Sequence, residues 1–154
     1  MPEARTLYAE DLLVGEQIDL GNHHVTETEI LTFAGQWDPL PIHTDPVAAA
    51  SGRFGGLIGS GLHSMAIAQR LAVEGLFKHV AVVAGRRVRE TNMIRPLRPN
   101  TTVRATLLIV TMDLSRRHTA EMTARSTLFD DGGELLTVEI DSIIERAPWS
   151  GVNR

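Results

Sequence analysis

The chain has 154 residues, 43% of them hydrophobic and 22% charged, with no cysteine and a formal charge of −4. That length can bury a core without cross-links or metals and predicts one domain over residues 1–154. The acidic balance argues against a protein that binds phosphate backbones, and the missing thiols exclude a disulfide framework, a thiolate nucleophile and a zinc site built on sulfur.

Met1 to Leu13 carries three carboxylates and no apolar run, unlike a signal peptide or membrane anchor, so no membrane association and a cytoplasmic location are expected. Gln17 to Val25 alternates Ile18 and Leu20 before Gly21-Asn22, which predicts a short strand and turn, or a hairpin. Thr26-Glu27-Thr28-Glu29 has the spacing of a capping box, in which Thr26 and Glu29 each satisfy an unpaired amide. A helix is predicted over Glu27 to Trp37, with Ile30, Leu31, Phe33 and Ala34 on its apolar face. Pro39 and Pro41 predict an extended loop from Asp38 to His43, because each lacks an amide proton and biases its predecessor away from helix. Thr44 or Asp45 can cap a short helix that begins at Pro46.

The glycine-rich stretch Gly52 to Gly61 leads into the longest apolar helical pattern, Leu62 to Phe77, which is apolar around most of its circumference and predicted to be buried on most sides. Strands follow from Val80 to Arg89, continuing toward Ile94, then from Thr102 to Met112. A third run, His118 to Leu128, turns at Asp130-Asp131-Gly132-Gly133 into a last strand where Leu136, Val138 and Ile140 alternate with polar residues. The fold class predicted is α+β, a curved antiparallel sheet wrapped around one long central helix.

Chemistry concentrates between Asp38 and Gly61. A carboxylate and an imidazole on a proline-stiffened segment, Asp38 and His43, can grip one water, one group accepting its proton while the other donates or orients. Addition of water to an enoyl thioester also needs a holder for charge on the carbonyl oxygen. The Gly61 amide, at the positive end of the long helix and free of a side chain, is the candidate. Ser60 can cap that helix, Asp45 is better read as a cap than as a metal ligand, and His63 is read as a packed histidine with one hydrogen bond. His23-His24 reads as a solvated strand end, and Arg86, Arg87 and Arg89 as a solvated basic spot able to meet small-ligand phosphates.

The segments Phe33-Ala34-Gly35-Gln36-Trp37-Asp38-Pro39-Leu40-Pro41-Ile42-His43-Thr44-Asp45-Pro46 and Phe54-Gly55-Gly56-Leu57-Ile58-Gly59-Ser60-Gly61 resemble the MaoC-like family of (R)-specific enoyl-CoA hydratases. The resemblance implies the hot-dog fold, in which an antiparallel sheet wraps a long helix. It implies Asp38 and His43 as the catalytic pair, Gly61 as the oxyanion-binding glycine, and Gly56, Ile58 and Ser60 as substrate-binding positions. Many members carry Asn where this chain has Leu40, and His where it has Ser60. The substrate implied is an acyl thioester on coenzyme A or phosphopantetheine, with no further cofactor, and the assembly a homodimer or dimer-based oligomer. Two rivals remain: a hot-dog thioesterase, which releases free thiol, and a non-catalytic acyl-binding subunit. Thioesterases of this fold tend to place a carboxylate on the long helix, where Leu62 to Phe77 offers only Glu74.

Overall fold

A computed structural model describes residues 5–148, so part of the amino-terminal segment Met1 to Leu13 lies outside the described residues. Five antiparallel strands form one sheet in the order β1-β3-β4-β5-β2. They are β1 (Gln17–Val25), β2 (Val82–Met93), β3 (Thr101–Asp113), β4 (Thr119–Asp130) and β5 (Gly133–Glu145). The last three make the meander predicted from their period-2 alternation, and Asp130 pairs with Gly133 across the tight turn. Strand β2 returns to the far edge of that meander and pairs with β5, while β1 pairs with β3 on the opposite edge.

Helix α1 (Glu27–Trp37) is followed by two short helices, α2 (Pro41–Thr44) and α3 (Pro46–Ala50), and by the long α4 (Gly61–Gly75). Ile67, Ala68, Leu71 and Ala72 of α4 are buried against Leu107, Ile109, Met122, Leu136 and Ile144 of the sheet, which makes the fold a hot dog. Ile30 and Ala34 of α1 are buried too, so α1 is seated on the molecule by one apolar stripe. Among the described residues no helix is long and apolar enough to cross a membrane.

Four local expectations are corrected. Gln17 to Val25 is one strand, not a hairpin: Gly21, at φ 86°, falls at a register shift between Asp19 and Asn22 and is absorbed as a bulge while pairing with β3 continues. The Asp38 to His43 segment is extended only to Leu40. Pro41 occupies the first position of α2, where a missing amide proton costs nothing and the fixed φ favours a helical turn. The capping box at Thr26 is half formed, with Thr26 Oγ1 accepting the Glu29 amide at 3.1 Å. The Glu29 carboxylate is bound by imidazoles instead. Finally, α4 is less enclosed than its composition predicts. Leu62 and Val73 are exposed, and so are Val82, Val83 and Val88 on edge strand β2. Met65, Val73 and Phe77 face Val82, Val88 and Ile140 across an open cavity of about 730 Å³.

Candidate active site

Asp38 is the residue that closes α1. Its amide donates to the Ala34 carbonyl at 2.9 Å, and with φ −156° and ψ 69° it leaves helical geometry, directing the chain outward toward Pro39. One turn of α2 then brings His43 back to face it. The His43 ring is buried and its Nδ1 lies 2.8 Å from the Ile58 carbonyl oxygen. A carbonyl only accepts, so Nδ1 carries a proton and Nε2 is the nitrogen turned toward Asp38. Nε2 stands 3.5 Å from Asp38 Oδ2. That separation exceeds a good hydrogen bond, and leaves both groups able to address one water.

The wall opposite is the approach to α4. The Ile58 amide donates to the Ile42 carbonyl at 3.2 Å, and the Gly59 amide to the Leu97 carbonyl at 2.8 Å. These two bonds pin the glycine-rich stretch between α2 and the loop preceding β3. Gly59 is required for contact, since a Cβ there would lie 2.9 Å from Leu97 Cδ2. Ser60 caps α4, its Oγ accepting the Leu62 amide at 3.2 Å and donating to Asp38 Oδ2 at 2.6 Å. Gly61 is the first residue of α4, one of the positions whose amide has no partner within the helix and carries the positive end of its dipole. A Cβ on Gly61 would collide with Met93 Sδ, so glycine here admits the Met93 side chain against the backbone.

Asp38, His43, Ile58, Ser60 and Gly61 line one cavity of about 420 Å³ together with apolar residues from β2, β5 and the loop after β2. Of the residues expected in substrate binding, Ile58 and Ser60 are in this wall. Gly56 is not, although Phe54, whose carbonyl accepts from Arg98 Nη2 at 2.7 Å, does line it. Leu40 is exposed and also outside the wall. Asp45 Oδ1 accepts the Val47 and Ala48 amides, each at 3.0 Å, as a helix cap. Sequence reasoning missed Met93, Ile94, Leu97, Leu135 and Leu136 as lining residues, because only the pairing of β2 with β5 brings them to the segment from Asp38 to Gly61.

Residues 12–130 match the family model described as a MaoC like domain. The chain belongs to the MaoC-like domain family. A MaoC-like dehydratase from Rhodospirillum rubrum is 31% identical with a TM-score of 0.80, over 92% of this chain and 99% of that one. The (R)-hydratase from A. caviae involved in PHA biosynthesis shares the fold, with a TM-score of 0.69 and 22% identity over 90% of this chain and 99% of that one. The uncharacterized protein YdeM of Bacillus subtilis (strain 168) is 31% identical over 91 residues, which are 59% of this chain and 64% of YdeM. The matched segment thus spans less than two thirds of that relative.

Behind the Asp38 pocket lies a second cluster of titratable groups. Glu29 accepts hydrogen bonds from His23 Nε2 at 2.9 Å and His63 Nε2 at 3.0 Å, and the His63 ring stacks on Phe33 at 4.5 Å between centroids. His63 is the packed histidine its apolar helix predicts, with Nδ1 unpartnered among the described residues. His23 is half-buried and paired, not a freely solvated strand end. Burial pushes the His63 ring below its ordinary pKa, against the opposing influence of Glu29. Burial pushes Glu29 up, but the hydrogen bonds from His23 and His63 outweigh it and hold the carboxyl below the usual range.

Both shifts act on stability in the same direction. The unfolded chain binds a proton at His63 more readily than the folded one, so this contribution is complete above the unfolded histidine value of about 6.5 and is lost as pH falls below it. The Glu29 contribution is complete above the unfolded value of about 4.3 and is lost as pH falls further. The urea midpoint is therefore expected to be lower at pH 5 than at pH 7.5, with a shallower decline in His63→Gln, whose amide can still donate to Glu29. Equal midpoints in the wild type at the two pH values would contradict this.

Proposed function

We propose that this chain is an (R)-specific hydratase/dehydratase of enoyl and 3-hydroxyacyl thioesters. The observation that carries the reading is the facing of Asp38 and His43, 3.5 Å apart, across a mostly apolar cavity that also holds the Gly61 amide at the start of α4. Water is held between the Asp38 carboxylate and His43 Nε2, beside C3 of a trans-2-enoyl thioester. As its oxygen bonds to C3, His43 Nε2 takes one of its protons and the π electrons move toward the thioester oxygen. The Gly61 amide donates to that oxygen as charge collects there. The proton is then returned by the dyad to C2, so one water is consumed and the thioester survives. Addition from one face gives the (R)-3-hydroxyacyl product, and the reverse path is a dehydration.

The acyl group is carried on coenzyme A or a phosphopantetheine arm, and the reaction needs no further cofactor. The fold shared with the A. caviae (R)-hydratase supports this reading, as does the long helix: its Glu74 is exposed and bonded to Arg70 at 2.9 Å, away from the cavity. A thioesterase using a carboxylate on that helix has no group in place. Incubation of a trans-2-enoyl-CoA in ¹⁸O-labelled water tests the assignment. Label at C3 of a hydroxyacyl-CoA is expected, whereas label in a free carboxylate would overturn it in favour of the thioesterase.

The functional unit in this reading is a cytoplasmic homodimer. Strand β2 is a sheet edge with its backbone unpaired on one side, and it exposes Val82, Val83 and Val88 beside the cavity over α4. Exposed edges of this kind are ordinarily covered. A second copy pairing β2 to β2 extends the sheet and closes that cavity. Equilibrium sedimentation is expected to give about twice the 16.9 kDa of one chain, and Val88→Lys to shift the protein toward monomer. A wild type monomeric at all concentrations would contradict the assembly.

A further inference from the structure

We infer that Ser60 is a positioning residue for the acid/base pair, its hydroxyl tying the Asp38 carboxylate to the start of α4. The inference rests on the hydratase reading above. Ser60 is almost wholly enclosed, at 1% exposure. Its Oγ does two things: it accepts the Leu62 amide at 3.2 Å and donates to Asp38 Oδ2 at 2.6 Å. Capping a helix needs only the first, because the cap works as an acceptor for an orphan amide. The second contact is surplus to capping, and it is short, as expected of a hydroxyl bound to an ionised carboxylate.

The oxygen that receives this proton is the same Oδ2 that stands 3.5 Å from His43 Nε2. The Ser60 hydroxyl therefore sets how the carboxylate faces the imidazole, while Asp38 Oδ1 takes no protein donor among the described residues. Because Oγ also holds the amide next to Gly61, one atom fixes two parts of the machinery relative to each other: the carboxylate that grips water and the helix start that presents the oxyanion donor. Loss of that tie lets Asp38 rotate about its side-chain bonds without leaving the cavity. Substrate binding, which depends on the apolar wall, is then preserved while the geometry of water attack is degraded, and misplacement on the ångström scale is costly to rate.

Three variants separate this role from a structural one. Ser60→Ala removes donor and cap, Ser60→Gly removes the donor but leaves a serviceable cap, and Ser60→Thr keeps both. On a trans-2-enoyl-CoA turned over by the wild type, kcat is expected to fall roughly 10- to 100-fold in Ser60→Ala and Ser60→Gly. KM should stay within about threefold, and Ser60→Thr should recover most of the rate. A Ser60→Gly variant that is folded by its melting profile and retains wild-type kcat would overturn the inference alone. A wild type silent across the whole substrate panel would overturn the hydratase reading, and this inference with it.

Discussion

Asp38→Asn and His43→Gln are each expected to lower kcat on a trans-2-enoyl thioester by roughly 10² to 10⁴, the usual share of an acid/base group, with little change in KM. Asn is a fair replacement in every respect but the chemical one: its oxygen can still accept from the Ser60 hydroxyl, and the backbone cap from the residue 38 amide to the Ala34 carbonyl is untouched. His43→Gln loses the lone pair at Nε2. A glutamine amide can still donate toward the Ile58 carbonyl, so the cost to stability should stay near the ~1 kcal/mol of one net hydrogen bond. Groups that handle one proton act as a unit, so the double variant is expected to be little slower than the worse single one. Steady-state kinetics with a melting curve for each variant checks this. Single variants at near-wild-type rates would remove Asp38 and His43 from the mechanism.

The largest effect on stability in the first half of the chain is expected at Ile30. Its side chain is wholly buried at the seat of α1, the helix whose last turn delivers Asp38. Truncation of a buried isoleucine removes apolar contact and leaves a cavity the surroundings only partly fill, so Ile30→Ala should cost about 2–5 kcal/mol. For a chain of this size, each kcal/mol lowers the thermal midpoint by roughly 2–4 °C. Thr26→Ala, which removes only the cap at the start of the same helix, should cost about 1 kcal/mol. A melting series in which Thr26→Ala is the more damaging of the two would contradict the view that burial, more than capping, holds α1 in place.

Much of the fold is readable from the chain because its second half follows one simple rule. Along β4 and β5 apolar and polar residues alternate, and the Asp130 to Gly133 turn fixes their register, so the meander follows directly. Strand β2 is harder. It has a register shift at three places, between Val82 and Ala84, Gly85 and Arg87, and Val88 and Glu90, and each one breaks the period-2 pattern that would reveal its inward face. Its pairing with β5 is a long-range event that no local signal announces. For that reason Met93 and Ile94, which reach the Asp38 cavity, escape a reading by motif.

The candidate site shows the same division. Asp38, His43, Ser60 and Gly61 lie within one stretch rich in proline and glycine, where residue type and spacing point to their chemistry. What that stretch conceals is which hydrogen bonds its side chains choose. Proline at the first position of α2 starts a helical turn where a count of prolines suggests only a break, and that turn aims His43 at Asp38. Ser60 has the residue type of a helix cap, and it is one, yet its proton goes to a carboxylate 22 residues earlier. Glu29 has the spacing of a capping-box residue, but two imidazole donors from β1 and α4 outcompete the local amide. At Ser60 a partner distant in sequence adds to the local preference, and at Glu29 the partner on α4, His63, overrides it.

The most direct test of the central claim is the loss of enoyl-thioester absorbance when purified protein is mixed with a panel of trans-2-enoyl-CoA substrates, with free thiol assayed in the same samples. Loss of absorbance without thiol release, reversed on adding an (R)-3-hydroxyacyl-CoA, is the result expected of a hydratase built on Asp38, His43 and Gly61. Thiol release in step with the absorbance change, or no change on any member of the panel, would contradict it.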